Sequence, residues 1–124
     1  MMTRAISGAA IFDGKVWHHG RALVFEDGNI AGIIPVEDVP ANAGHAELDG
    51  GYLVPGFVDL QVNGGGGALF NEDRSVDALR TICAAHMRFG TTALLPTLIT
   101  DAPEVTRSAL AAGTEAAKEG VSGF

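Results

Sequence analysis

The alternation of strand and helix signals after Gly51 is the feature that most constrains what this chain can fold into. Residues 53–62 and 91–95 are strand-like segments, and a helical pattern follows each of them. Strands separated by helices predict parallel pairing, because a parallel connection needs a long crossover that is usually a helix. We therefore expect an α/β arrangement for residues 51–124.

Two helices are predicted within this second part of the chain. Ser75 is a suitable N-cap for the first, whose apolar residues recur on one stripe, and Gly90 is expected to end it. Asp101, with a proline and a glutamate shortly after it, predicts the start of the second helix. Residues 121–124 resemble the first residues of a third strand, so we expect the chain to be truncated within its pattern.

Residues 1–50 have a different pattern, in which short apolar runs alternate with turn signals such as Asp13-Gly14 and Asp27-Gly28. This pattern predicts short antiparallel strands joined by tight turns, and residues 35–45 are predicted to form a loop. A few short strands are only marginally stable alone. We therefore expect this part to pack against other structure.

The composition argues against several classes of function. The net charge is -7, from 15 acidic and 8 basic residues without a basic cluster, and such a chain would repel a nucleic-acid backbone. The single cysteine, Cys83, cannot form an internal disulfide, and the sequence predicts neither a signal peptide nor a membrane span. We expect a cytoplasmic protein that binds neither nucleic acid nor a membrane.

Polar residues gather at the end of the first strand of the second part. Asp59, Gln61 and Asn63 share one face, because successive side chains of a strand point to opposite sides. The C-terminal ends of parallel strands are where barrel enzymes bind substrates, and the glycine run at 64–67 lets a ligand approach the backbone closely. A solvated edge strand followed by a flexible glycine loop would give the same pattern.

The string Leu-Val-Pro-Gly-Phe-Val-Asp-Leu-Gln-Val-Asn-Gly at 53–64 resembles the opening barrel strand of the amidohydrolase superfamily, Pro-Gly-Phe-x-Asp-x-His-x-His. Gln61 and Asn63 stand where that family has two metal-binding histidines. Neutral amides are weak zinc ligands, so we expect the metal position served by this strand to be empty or weakened. Together with residues 90–100, these features resemble the N-acetylglucosamine-6-phosphate deacetylases, which work with one metal.

This resemblance implies a fold, a reaction and a set of partners. Residues 51–124 would form the first two to three βα units of a TIM-type barrel, preceded by part of a small β-sandwich domain at 1–50. One divalent metal, zinc or iron, would activate water to release acetate from N-acetylglucosamine 6-phosphate, in an enzyme that is a homodimer when intact. The metal ligands and catalytic residues are expected downstream, which leaves Gln61 and Asn63 as the active-site lining and the fragment alone inactive, without a bound metal.

Other candidate residues are interpreted structurally. His18, His19 and His45 are expected at the surface, Cys83 and His86 in helix packing, Asp59 as a buried structural acid, and Thr97 and Thr100 in loop geometry. The glycine run lacks the Lys and Ser/Thr of a phosphate-binding P-loop. Two alternatives stay open: another amidohydrolase acting on a different acetylated amine, and a non-catalytic fragment that associates with a partner.

Overall fold

The computed structural model describes residues 2–124, which divide into two compact units, 2–55 and 56–124. The division falls after Pro55 rather than after Gly50, where the sequence pattern changes. The strand Tyr52–Leu53 explains the difference, because it pairs with Ala10–Phe12 of the first unit. Each unit is described by itself.

The first unit consists of short strands and one turn of 3-10 helix at Val36–Asp38. Its strands are β1 (Thr3–Ser7), β2 (Ala10–Phe12), β3 (Trp17–His18), β4 (Arg21–Glu26), β5 (Asn29–Pro35), β6 (Gly44–Glu47) and β7 (Tyr52–Leu53). They form a four-stranded sheet in the order β5-β4-β1-β6 and a three-stranded sheet in the order β3-β2-β7.

Both sheets of the first unit are mixed, so the prediction of only antiparallel strands is wrong. β1 pairs antiparallel with β4 but parallel with β6, and β2 pairs parallel with β7. Local turn signals reveal hairpins such as β4-β5, whereas β6 and β7 reach their partners after long connections that no turn signal marks. His45 consequently lies in β6 and not in the predicted loop.

The second unit contains four strands and two helices. They are β8 (Phe57–Val62), β9 (Gly64–Gly65), β10 (Ala68–Leu69), α1 (Val76–Met87), β11 (Thr91–Pro96) and α2 (Pro103–Lys118). β8 and β11 pair in parallel, as the strand and helix alternation predicted. The mixed sheets and the two helices make the chain an α/β protein.

Both helices contribute to one core with the two parallel strands. Leu79 and Ile82 of α1 are completely buried, and they pack with Val62 of β8 and Leu94 of β11. The inner face of α2 consists of small residues, which allow a close approach but bury little area each. The remaining buried members of this core are Phe70, Cys83, Ala109, Ala112, Ala116 and Val121.

The helix starts follow different rules. The Ser75 hydroxyl accepts a hydrogen bond from the Ala78 amide at 3.0 Å and caps α1 as predicted. The prediction that Asp101 caps α2 is wrong, because the N-cap is Ala102 and has no side-chain hydrogen bond. The Asp101 carboxylate instead accepts from the adjacent Ala102 amide and from Asn71.

Two predicted strands differ from the structure. The strand expected over 53–62 is interrupted after Leu53, because Pro55 has no N–H, and β8 begins only at Phe57. Residues 121–124 form a turn in which Gly123 has a φ of 82°, outside the extended region. The Gly123 carbonyl nevertheless accepts a hydrogen bond from Leu94 of β11 at 2.8 Å. Within residues 2–124, neither helix has the length and apolarity that crossing a membrane requires.

Replacing Leu79 by alanine should lower the free energy of unfolding of the second unit by about 2–5 kcal/mol, because a completely buried leucine leaves a cavity. Leu110→Ala on α2 is the control, since Leu110 is 68% exposed and its loss should change stability by less than about 0.5 kcal/mol. Urea unfolding followed by helical circular dichroism reports on this unit, which contains both helices. Equal effects of the two variants would contradict the assignment of the core.

Candidate functional site

The C-terminal ends of β8 and β11 lie at the same edge of the second unit. Val62 is the register partner of Pro96, and the Thr97 amide donates to the Val62 carbonyl at 2.7 Å. The residues that follow each strand are therefore held side by side. In parallel α/β sheets this is the edge at which substrates bind.

The predicted polar face of β8 is present in the structure. Val62 is buried in the core beneath the helices, so Asp59 and Gln61 lie on the opposite face of the strand, and Asn63 follows directly after its end. Gln61 is exposed, whereas Asp59 and Asn63 are half-buried. The Asp59 carboxylate accepts the Gln61 backbone amide at 3.1 Å, so it has a local structural contact.

Asn63 ties the two strand ends together. Its Nδ2 donates to the Thr97 carbonyl at 2.8 Å, beside the backbone bond between Thr97 and Val62. Within residues 2–124, its Oδ1 accepts no hydrogen bond. The side chain thus has one positioning contact and one acceptor left for a ligand, and Gln61 is an exposed residue.

The glycine run forms a defined hairpin rather than a flexible loop. β9 and β10 pair antiparallel, and the turn between them has positive φ angles at Gly66 (62°) and Gly67 (88°). Two consecutive positive φ angles are typical of the tight type I′ turn, which glycine adopts most easily. The expectation of a flexible loop is therefore wrong, because local backbone pairing fixes these residues.

The hairpin lies against α1. His86 Nε2 donates to the Gly64 carbonyl at 3.0 Å, and a Cβ on Gly65 would lie 2.9 Å from the same nitrogen. Cys83, one turn earlier, is 1% exposed, and burial raises the pKa of its thiol. His86 therefore contacts the hairpin and Cys83 packs in the core.

A second polar contact holds the segment that follows β11. Asn71 Oδ1 accepts the Ile99 amide at 2.9 Å, and its Nδ2 donates to the Ile99 carbonyl at 2.9 Å and to Asp101 at 3.0 Å. The Ala102 amide lowers the pKa of Asp101 most, with further contributions from Asn71 and from the charge of Arg74. A negative charge on Asp101 is thus favoured at this edge.

Most of the remaining candidates have structural partners. His18 Nε2 and Asp13 Oδ2 are hydrogen-bonded at 2.8 Å, and this hydrogen bond is the main cause of the lowered pKa of Asp13. His45 Nε2 lies 2.8 Å from the Ser7 hydroxyl, and Thr97 Oγ1 donates to the Leu95 carbonyl. His19 and Thr100 are exposed. In the part of the chain that the structure describes, no three His, Cys, Asp or Glu residues come together to hold a metal ion.

Sequence reasoning missed the contacts of Asn71, Arg74 and Asp101. Arg74 donates to the Asn71 carbonyl through Nη1 and to Ser108 Oγ of α2 at 2.8 Å through Nε. The available signal was an asparagine directly after the short apolar run 68–70, because Asn side chains readily bond to backbone groups.

The chain matches no protein-family model, but it is similar to several known hydrolases. It is 45% identical over 97 residues to the N-acetylgalactosamine-6-phosphate deacetylase of Shewanella sp. (strain ANA-3), covering 77% of this chain and 25% of that protein. It is 35% identical over 89 residues to the N-acetylglucosamine-6-phosphate deacetylase of Haemophilus influenzae, covering 72% of this chain and 23% of that one.

The crystal structure of N-acetylglucosamine-6-phosphate deacetylase from Pasteurella multocida superimposes with a TM-score of 0.91 at 40% identity, over 95% of this chain and 31% of that one. The fold and the sequence thus resemble hydrolases that act on acetylated amino-sugar phosphates. More particularly, the resemblance to N-acetylglucosamine-6-phosphate deacetylases is confirmed. The chain spans between 23% and 31% of the length of these three relatives.

Gly66→Ala should lower the free energy of unfolding of the second unit by about 1–3 kcal/mol more than Gly67→Ala does, because the added methyl group overpacks the contact with α1. Both residues have a positive φ, which costs an alanine about 1–2 kcal/mol. Only at Gly66 does an added Cβ meet Thr81 Cγ2 at 3.0 Å, and Thr81 is held by its hydrogen bond to Asp77. Gly67 has open space. Thermal unfolding of both variants measures the difference, and equal losses would mean that the hairpin does not rest on α1.

Proposed function

We propose that this sequence is part of a deacetylase that hydrolyses the acetamide of an N-acetylhexosamine 6-phosphate. With N-acetylglucosamine 6-phosphate the products are glucosamine 6-phosphate and acetate. The observation that carries the proposal is the likeness to the Pasteurella multocida enzyme, at 40% identity over nearly the whole chain. Because the chain spans less than a third of that enzyme, the activity belongs to a longer protein that contains it.

The architecture of that protein is proposed as a TIM-type barrel preceded by a small β-sandwich. β8, α1, β11 and α2 would form the first two units of the barrel, and the strands of 2–55 would form part of the sandwich. Exposed apolar residues on both faces of β8 support the barrel, namely Phe57 (67%), Val58 (64%) and Leu60 (70%). Barrel strands are covered by helices outside and by other strands' side chains inside.

Gln61 and Asn63 are proposed to line the active site. Gln61 lies on the helix-free face of β8, which would become the barrel interior, and Asn63 follows at the C-terminal end of that strand. The Asn63 acceptor oxygen and the amide of the exposed residue Gln61 are suited to bind water or the N–H and carbonyl groups of an acetamide. Asn63 also orients the segment after β11 through Thr97, so it would position this wall of the site.

The residues described here do not fit a strong metal site by themselves. Gln61 and Asn63 offer neutral amide oxygens, the Asn63 nitrogen is engaged with Thr97, and no three acidic, histidine or cysteine side chains cluster within residues 2–124. A divalent metal, whose chemistry in such hydrolases is to activate water and polarise a carbonyl, would need ligands from other residues. We propose one zinc or iron ion held in that way.

A second candidate substrate is N-acetylgalactosamine 6-phosphate. It is favoured by the 45% identity to the Shewanella deacetylase named for that sugar, against 35% for the Haemophilus enzyme named for the glucosamine compound. The two sugars differ in the orientation of one hydroxyl group, which Gln61 and Asn63 would not contact if they face the acetamide. Comparing kcat/KM for both substrates in a longer protein containing this sequence distinguishes the two candidates.

The setting of the enzyme follows from the same resemblance. A cytoplasmic homodimer without nucleic-acid or membrane partners is proposed, as that resemblance implies. The net charge of -7 accords with the absence of a nucleic-acid partner. Association of this chain with a full-length partner, without catalysis of its own, is the other possibility. Light scattering on a mixture of the purified 124-residue chain and a full-length deacetylase, compared with each alone, tests it.

The purified 124-residue chain should release no acetate from either sugar phosphate, even with added zinc or iron, because these residues hold no cluster of metal ligands. The measurement is an enzymatic acetate assay, with a full-length deacetylase as positive control. Turnover comparable with the control would show that the catalytic groups lie within this chain. It would overturn the proposal that the metal ligands come from other residues.

A longer, active protein containing this sequence should bind one divalent metal tightly per subunit, and the Gln61→His, Asn63→His double variant should bind a second. Imidazole nitrogen is a stronger zinc ligand than an amide oxygen. Elemental analysis after dialysis measures the stoichiometry, and Asn42→His, at an exposed turn of the first unit, is the control. Two tightly held metals in the unmodified protein would contradict the prediction.

A further inference from the structure

The Asn71 side chain pairs with Ile99 as a strand partner would. Its amide accepts from the Ile99 N–H and donates to the Ile99 carbonyl, with both distances at 2.9 Å. Opposed residues in an antiparallel ladder exchange the same two hydrogen bonds through their backbones. Ile99 lies beyond the end of β11, so this side chain satisfies backbone groups that the sheet no longer pairs.

Asn71 is itself held from several sides. The preceding Phe70 is buried in the core, and its amide donates to the Asn63 carbonyl at 2.9 Å. Arg74 donates to the Asn71 carbonyl and, through Nε, to Ser108 of α2. The side chain is therefore fixed at the edge where β8 and β11 end, and it does not depend on the exposed Ile99 for its own placement.

The segment 97–101 consequently has two separate hydrogen-bonded attachments, in addition to the packing of Leu98 against the core. The first is at Thr97, which bonds to Val62 and to Asn63. The second is at Ile99 and Asp101, and both of its side-chain contacts come from Asn71. Removing Asn71 leaves the first attachment intact and releases the second.

We propose that Asn71 is a positioning residue that fixes the segment 97–101 as a wall of the substrate-binding edge, beside Gln61 and Asn63. The role of this wall in binding rests on the proposed deacetylase function, whereas the attachment itself does not. Asn71 touches backbone and Asp101 but not the candidate ligand groups, so it acts through the segment that it holds.

Hydrogen exchange of the 124-residue chain tests the attachment directly. Asn71→Asp replaces the donor Nδ2 by an oxygen of the same size, which at neutral pH faces the Ile99 carbonyl and the Asp101 carboxylate and is repelled by both. The Ile99 amide should then exchange at least about tenfold faster, while the amides of α1 keep their protection.

Lowering the pH of the Asn71→Asp variant separates a hydrogen-bonding role of residue 71 from a packing role, because only the former should change hydrogen exchange at Ile99. Below the pKa of the new carboxyl, its protonated form regains one donor, and the excess exchange at Ile99 should fall after correction for the intrinsic rate. Adding Asp101→Asn to the variant should also restore protection in part, because one of the two facing charges is removed. Asn42→Asp adds the same charge at an exposed turn and should leave Ile99 unaffected.

Asn71→Ser guards against failure of the charged variant to fold, because it removes the pairing without adding a charge. Faster exchange at Ile99, with intact protection in α1, is expected. Unchanged exchange at Ile99 in a folded Asn71→Ser chain would overturn the proposal. Loss of protection in both regions of this variant would also overturn it, because Asn71 would then support the whole unit and not the segment.

The functional consequence is measured in a longer, active protein containing this sequence. Asn71→Ser should raise KM about tenfold and lower kcat by less than about threefold, because the wall is loosened while the reacting groups stay in place. Unchanged KM together with faster exchange at Ile99 would overturn the role in binding. If the unmodified protein releases no acetate, the proposed deacetylase function fails, and the exchange result still decides the attachment.

Discussion

The parallel pairing of β8 with β11 is the interaction on which the second unit depends. Parallel strands have their C-terminal ends at the same edge of the sheet. The segments that follow Val62 of β8 and Pro96 of β11 therefore begin side by side. On one face the pairing places Val62 and Leu94 beneath both helices. On the other it leaves Gln61 exposed beside Asn63. The core and the candidate site are therefore two faces of one pair of strands.

The edge is reinforced by side chains that bond to backbone. Asn63 bonds to Thr97, Asn71 to Ile99 and His86 to Gly64, each linking parts of the chain that are 22–34 positions apart. Such bonds satisfy backbone groups where strands have ended and water would otherwise be the only partner. They also restrict the path of the backbone, because hydrogen bonds to a planar amide or imidazole are directional.

Local signals in the sequence were sufficient for much of the second unit. The Ser75 cap, the apolar stripe of α1 and the short strand before Pro96 depend on neighbouring residues only, and the structure has all three. The shared face of Asp59 and Gln61 follows from strand periodicity in the same way. The parallel partners of β1 and β2 were missed, because they depend on contacts made after long connections.

The edge contacts were missed for a different physical reason. Asn71 and His86 are ordinary residues in the sequence. His86 finds its partner because the hairpin at Gly64 lies against α1, and Asn71 because the segment after β11 passes beside it. A flexible loop remained an alternative for the glycine run, since glycine favours both loose loops and tight turns. Periodicity cannot separate these two outcomes, because the difference lies in whether a neighbouring surface is present.

The burial of Cys83 has a consequence for observing this molecule. Its thiol is 1% exposed, and burial raises its pKa, so little of the reactive thiolate is present and a reagent cannot reach it in the closed state. Labelling must therefore wait until α1 separates from the core. As the chain has one cysteine, the rate at which a thiol reagent attaches records how often the second unit opens, without any engineered probe.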